Sequence, residues 1–298
     1  MTRADVTFTS QGVPCAGWLY RPEDLPSGWQ APAVVLAHGF SCVKEMGLAA
    51  YAERFAAAGF VALAFDYRYF GGSGGEPRGR VSPAEQIEDV RNALTWLEGQ
   101  AGVDPERIGL WGTSLGGGVV TYTATFDRRV KAVVAQAASF LNPLARQAMN
   151  PASWASVGGL LLRDRRERYR TGAVTYLPVV APDGTPCAVP GQENWDGYQA
   201  LAADAPTWQN QITVESVGAF LEFDAASSLP LLAPTPLLII AGERDALAPL
   251  DAVRAAYARA AEPKALQVLP VTHFEVYREP WRSQAVAAAT DWFTRHLR

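Results

Sequence analysis

Apolar residues in this chain follow two rhythms that take turns along most of its length. They first alternate with polar ones in Val6–Thr9 and Ala16–Tyr20, on either side of Gln11–Gly12, which predicts an antiparallel hairpin. Short runs that are almost wholly apolar follow at Ala33–Ala37, Val61–Phe65, Ile108–Trp111, Val130–Ala135, Pro236–Ile240 and Leu266–Leu269. Runs of that length fit strands buried on both faces of a parallel sheet. Helical spacing separates them. Gly47–Ala58 is stopped by Gly59, and Ser82-Pro83-Ala84-Glu85 is a capping box that opens a helix with Ile87, Val90, Leu94 and Leu97 on one face. Ala252–Ala261 reads as a further helix, and Val286, Ala289, Phe293 and Leu297 form the apolar face of a last one. Strands alternating with helices predict an α/β fold with a mainly parallel central sheet flanked by helices.

The alternation fails between Phe140 and Leu232, where 93 residues rich in Pro, Trp, Tyr and Asn interrupt it. The expected organisation is one core domain made of residues 1–139 and 233–298, with 140–232 inserted as a cap over the sheet. Composition narrows the class. A chain of 298 residues that is 49% hydrophobic and 19% charged can bury a large core. Its net charge of −4 leaves no basic surplus for nucleic acid, and the cluster Arg163–Arg170 is broken by Asp164 and Glu167, as in a solvated helix face. Met1–Val6 lacks the apolar core of a signal peptide and no 18-residue apolar run occurs, so a cytoplasmic protein without a membrane partner is expected. Cys15, Cys42 and Cys187 are odd in number and far apart, against a disulfide framework or a zinc site. With no metal or nucleotide motif, no cofactor is expected. A homodimer is compatible with all of this.

The chemistry gathers at a few positions. Gly112-Thr-Ser-Leu-Gly116 follows an apolar run and precedes a helix-compatible stretch, so Ser114 would stand at the tip of a sharp strand-to-helix turn as a nucleophile. The pattern alone is weak, since chance supplies about 0.1 matches in a chain of this composition. Gly71-Gly-Ser-Gly-Gly75 matches it too, but Glu76-Pro77 cannot open a helix cleanly, and Ser73 is expected in a flexible loop. A base and a carboxylate should follow the nucleophile. Of three histidines, His273 lies between the last strand and the last helix. His38 precedes the nucleophile and reads as structural, and His296 lies in a last helical turn, where a cation would help cap the dipole. Asp245, beyond the glycine that ends the 236–240 run, is preferred as the acid over Glu243, because a side chain must clear the strand end to reach back. Backbone N–H groups of Leu115 and Phe40 are the candidate oxyanion donors. Cys42, Trp195 and Trp208 are candidate substrate contacts.

With these residues in place the chain resembles the α/β-hydrolase superfamily. His38-Gly-Phe-Ser-Cys-Val-Lys-Glu-Met-Gly47, Asp66-Tyr-Arg68, Gly74-Gly-Glu-Pro-Arg78 and Val271-Thr-His-Phe-Glu-Val-Tyr277 are similar to a dienelactone-hydrolase-related branch that includes polyketide acyltransferases. The resemblance implies the α/β-hydrolase fold and a serine nucleophile at Ser114, where dienelactone hydrolases proper carry cysteine. The expected function is cleavage of a small carboxylic ester or thioester through an acyl-Ser114 intermediate. Transfer of the same acyl group to an alcohol or amine is the first alternative, peptidase activity a lesser one, and a non-catalytic binding protein on this fold a third.

Overall fold

In the computed structural model, residues 1–23, 28–140, 142, 143, 147 and 150–298 are described. Eight strands form one sheet: β1 (Thr2–Ser10), β2 (Val13–Arg21), β3 (Ala31–Ala37), β4 (Val61–Phe65), β5 (Val103–Thr113), β6 (Val130–Gln136), β9 (Leu237–Gly242) and β10 (Lys264–Leu269). Their order is β1-β2-β4-β3-β5-β6-β9-β10, antiparallel only where β2 meets β1 and β4. Gln11 and Gly12 both take positive φ, at 49° and 79°, which is what a two-residue hairpin turn demands.

The apolar runs divide their side chains between two cores. Val35, Leu63, Val133 and Ile239 point to one face, against α2 (Pro83–Glu98), α3 (Leu115–Phe126) and α7 (Leu250–Arg259). Val34, Ala62, Val134 and Ile240, each one position away, point to the other, against α1 (Leu48–Ala57) and α8 (Trp281–Leu297). A strand with both faces buried has no polar phase, hence the continuous runs. The predicted apolar face of α8, from Val286 to Leu297, is buried as expected. Ser82 caps α2 with its side chain on the Glu85 N–H.

Between β6 and β9 the chain leaves the sheet. It forms α4 (Pro151–Thr171), a two-stranded ladder of β7 (Tyr176–Leu177) and β8 (Ile212–Thr213), α5 (Gln192–Ala202) and α6 (Val214–Glu222) before β9 pairs in parallel with β6. The strand rhythm is lost here because these are helices lying off the sheet. α4 carries the Arg163–Arg170 cluster and buries only Asp164, which accepts from Arg168 Nε at 2.8 Å. The solvated-face reading of that cluster holds.

One expectation fails. Ser73 is buried, not in a flexible loop: its hydroxyl donates to Asp66 O at 2.6 Å and accepts from Ala16 N–H at 2.8 Å. The glycines around it let the backbone fold tightly over Asp66, whose carboxylate accepts from Lys44 N–H and Lys44 Nζ, both at 2.7 Å, and from Gly72 N–H. Ser73→Ala leaves the buried Asp66 carbonyl without its donor and the half-buried Ala16 N–H without its acceptor. It should lower unfolding free energy by about 1–3 kcal/mol in denaturant titration, while esterase activity at 25 °C stays near wild type.

Candidate active site

The turn from β5 to α3 places Ser114 at φ 53°, ψ −124°, a conformation that costs a non-glycine residue about 1–3 kcal/mol. Three backbone hydrogen bonds hold it there. Ser114 N–H donates to Gln136 O at 2.9 Å, and its carbonyl accepts from Gly117 N–H at 3.0 Å and Ser139 N–H at 3.1 Å. The flanking glycines have a steric reason to be glycine. A Cβ on Gly116 would fall 2.4 Å from His38 O, and one on Gly112 would fall 2.3 Å from Gly116 O. The strand, the helix and the loop after β3 are thus pressed together backbone to backbone, and Ser114 is lifted out of the turn.

His273 and Asp245 arrive from two neighbouring strand ends. Asp245 lies in the turn after β9, where its Oδ1 accepts N–H bonds from Leu247 and Ala248, each at 2.8 Å. Its Oδ2 lies 2.8 Å from His273 Nδ1, in the loop after β10. Both side chains are buried, at 0% and 6% exposure. A carboxylate only accepts, so Nδ1 carries the proton and Nε2 is left free to accept one. Glu243 is exposed, and it is Asp245 that meets His273.

A cavity of about 20 Å³ lies against Ser114 and His273, walled by Phe40, Cys42, Met46, Leu201, Phe274 and Tyr277, among others. Cys42 is thus at the site, its thiol pushed up to about 12 by burial. Phe40 lies on the cavity wall after Gly39, where a Cβ would approach Ser114 Cβ to 3.0 Å. Leu115 opens α3, so its N–H belongs to the first turn, which has no helical acceptor. Trp195 and Trp208 pack, half-buried, against the core, and Trp208 Nε1 donates to Ser41 O at 2.9 Å. Tyr169 is 95% exposed.

The other histidines part from the site. His38 is buried, with Nδ1 donating to Gly39 O at 3.0 Å and its ring edge-on to Tyr67. Burial lowers its pKa. His296 lies in the last turn of α8, where it was expected, with its ring tilted against that of Trp292 at 4.3 Å between centroids; burial and the neighbouring Arg295 lower its pKa. Sequence reasoning missed Leu201 and Phe274, whereas Tyr198 stood out as one of the aromatics of the inserted segment. Phe274 could have been found as the neighbour of His273; Leu201 carried no signal beyond lying in the insertion.

The family described as serine aminopeptidase, S33 (Hydrolase_4) matches residues 30–280, and the chain belongs to it. It is an enzyme of the α/β-hydrolase fold. The quorum-quenching protein AidA of Acinetobacter baumannii is 33% identical over 245 residues, 82% of this chain and 79% of that one. The thiohydrolase aneE of Aspergillus aculeatus is 32% identical over 256 residues, covering 83% and 79%. The polyketide transferase grgF of a Penicillium species is 30% identical over 277 residues, covering 90% and 88%. The crystal structure of GrgF superposes with a TM-score of 0.86 over 100% of this chain and 99% of that one, at 28% identity. A place in a hydrolase family sets aside the non-catalytic alternative. Among the described residues no helix is long and apolar enough to cross a membrane.

His38 has a consequence for stability. Its folded pKa lies below the unfolded value of about 6.5, so the unfolded chain binds a proton first as pH falls. Its share of stability is complete above that value and is lost on descending toward the folded pKa. Thermal unfolding of wild type at pH 7.5 and 5.5, set beside His38→Asn, should show a smaller pH-dependent drop in the variant.

Proposed function

We propose that this enzyme hydrolyses a small carboxylic ester or thioester with Ser114 as nucleophile, His273 as base and Asp245 as the group that orients it. The observation that carries this is the buried 2.8 Å His273–Asp245 bond beside a cavity shared with Ser114. Ser114 Oγ attacks the acyl carbonyl carbon while its proton passes to His273 Nε2. The developing oxyanion is met by the N–H groups of Phe40 and Leu115. Collapse breaks the bond to the alcohol or thiol, which leaves with the proton from His273. Water then gives a proton to the same nitrogen, attacks the acyl-Ser114 carbonyl and regenerates the serine. No cofactor enters this scheme.

Residues 140–232 act in it as the cap. A cavity of about 20 Å³ has room for little more than a water molecule, so side chains such as Leu201 and Met46 must give way to admit an acyl chain. Acyl transfer is the second reading. It is favoured by the apolar wall of Met46, Leu201 and Phe274, which would keep water from the acyl-enzyme, and by the relative named a polyketide transferase. Trp208 shapes that wall from behind, through Tyr198, while Trp195, like Trp208 itself, packs half-buried against the core without lining the cavity. We place the enzyme in the cytoplasm, with a small molecule as its partner and neither nucleic acid nor membrane; the dimer stays as compatible as before.

Ser114→Ala should lower turnover of an activated ester at least about a thousandfold and abolish labelling by a fluorophosphonate probe, with circular dichroism unchanged. Retained activity would refute the nucleophile. Asp245→Asn should reduce kcat by orders of magnitude with KM little changed, because the amide no longer selects the productive tautomer. Glu243→Gln should stay close to wild type. The reverse ranking in parallel steady-state assays would move the acid to Glu243.

A further inference from the structure

The inserted segment touches the oxyanion loop by hydrogen bonds as well as by packing. Residues 39–42 form a tight turn closed by Cys42 N–H to Gly39 O at 3.2 Å, and its third residue, Ser41, sits at φ +54° without being glycine. In such a turn the peptide between the second and third residues can flip, which trades that positive φ for a relaxed one. Both central carbonyls are held by donors from one stretch of the insertion. Tyr198 Oη donates to Phe40 O at 2.7 Å, and Trp208 Nε1 to Ser41 O at 2.9 Å. Thr207 adds N–H and hydroxyl bonds to Glu45, farther along the same loop. Tyr198 is buried, and Gly197 before it lies so close to the Phe274 ring that a Cβ there would fall 2.2 Å from a ring carbon. Helix α5 is therefore wedged between the loop of Phe40 and the loop of His273.

We infer that Tyr198 is a positioning residue for the oxyanion hole: its hydrogen bond to Phe40 O holds the Phe40–Ser41 peptide against flipping and so anchors the residue whose own N–H, on the preceding peptide, is the oxyanion donor. This rests on the serine-hydrolase reading and deepens it, because the cap then completes the machinery that the sheet begins.

The test is Tyr198→Phe, which removes one oxygen and keeps the ring. Loosening a donor without deleting it should lower kcat about tenfold, less than the hundredfold or more that follows loss of an oxyanion donor. KM should stay within about twofold, the pH midpoint of kcat/KM should not move, and the rate of phosphonylation by a fluorophosphonate should fall in step with kcat. Thr207→Val, which weakens the same segment away from the turn, should lower thermal stability but keep wild-type kcat. Wild-type kcat in the Tyr198 variant, or a rise in KM that matches the fall in kcat, would overturn the inference. Should Tyr198→Phe fold poorly, Trp208→Phe asks the same question at the Ser41 carbonyl, and an unchanged kcat there overturns it equally. Ser114→Ala assayed alongside separates the two failures. If it keeps activity the hydrolase reading falls, whereas an inactive Ser114→Ala beside a fully active Tyr198→Phe sinks only the role of Tyr198.

Discussion

The close approach of three backbone segments at the end of β5 is the constraint on which the rest of this protein depends. Gly112, Gly116 and Gly39 bring the strand, the helix after it and the loop after β3 to within backbone contact of one another, and the residue left at the crossing, Ser114, is forced to positive φ. A local cost of about 1–3 kcal/mol survives only where the surroundings over-determine the conformation. Here the donors and acceptors of β6 and the segment after it supply that, through Gln136 O and Ser139 N–H. The two-faced sheet core then serves as a rigid mount. Asp245 and His273 leave adjacent strand ends, at the edge where open α/β sheets gather their ligands.

A second layer of buried charge supports the neighbouring loop. Asp66 clamps Lys44 and the glycine turn, and next to it Arg68 Nε meets Asp89 at 2.5 Å, with Ser10 on the same carboxylate oxygen. Burial raises the Asp89 carboxyl above its usual range even against the pull of Ser10 and Arg68. A pair in that position does little for net stability, and losing one partner would strand the other in the core. The effect of this layer is geometric: Arg68 and Asp89 tie the end of β4 to α2, and Asp66 holds the loop after β3 at Lys44, while Tyr198 and Trp208 hold it at Phe40 and Ser41.

Much of this was legible in the sequence because the sheet is buried on both faces. Val61–Phe65 coincides with β4, and the Ser82 capping box marks the start of α2, since in both cases the local chemistry and the tertiary contacts ask for the same thing. The placement of Ser114, Asp245 and His273 just beyond strand ends was legible for a related reason: strand ends and glycine turns announce where a side chain is released from the sheet. The misreading of Ser73 has a different cause: in a run of glycines it looks mobile until Asp66 and Ala16 are known to lie beside it. Tyr198 and Trp208 hold their roles through partners about 160 residues away, which no periodicity encodes.

The central claim is that Ser114 carries the acyl group covalently. Acid-quenching the wild-type enzyme during turnover of an activated ester, then digesting it with trypsin and mapping the peptides by mass spectrometry, tests it directly. The account predicts an adduct of the acyl mass on the peptide Ile108–Arg128, with fragmentation placing it on Ser114. An adduct on Ser73 or Cys42, or turnover with no acylated peptide at any quench time, would contradict it.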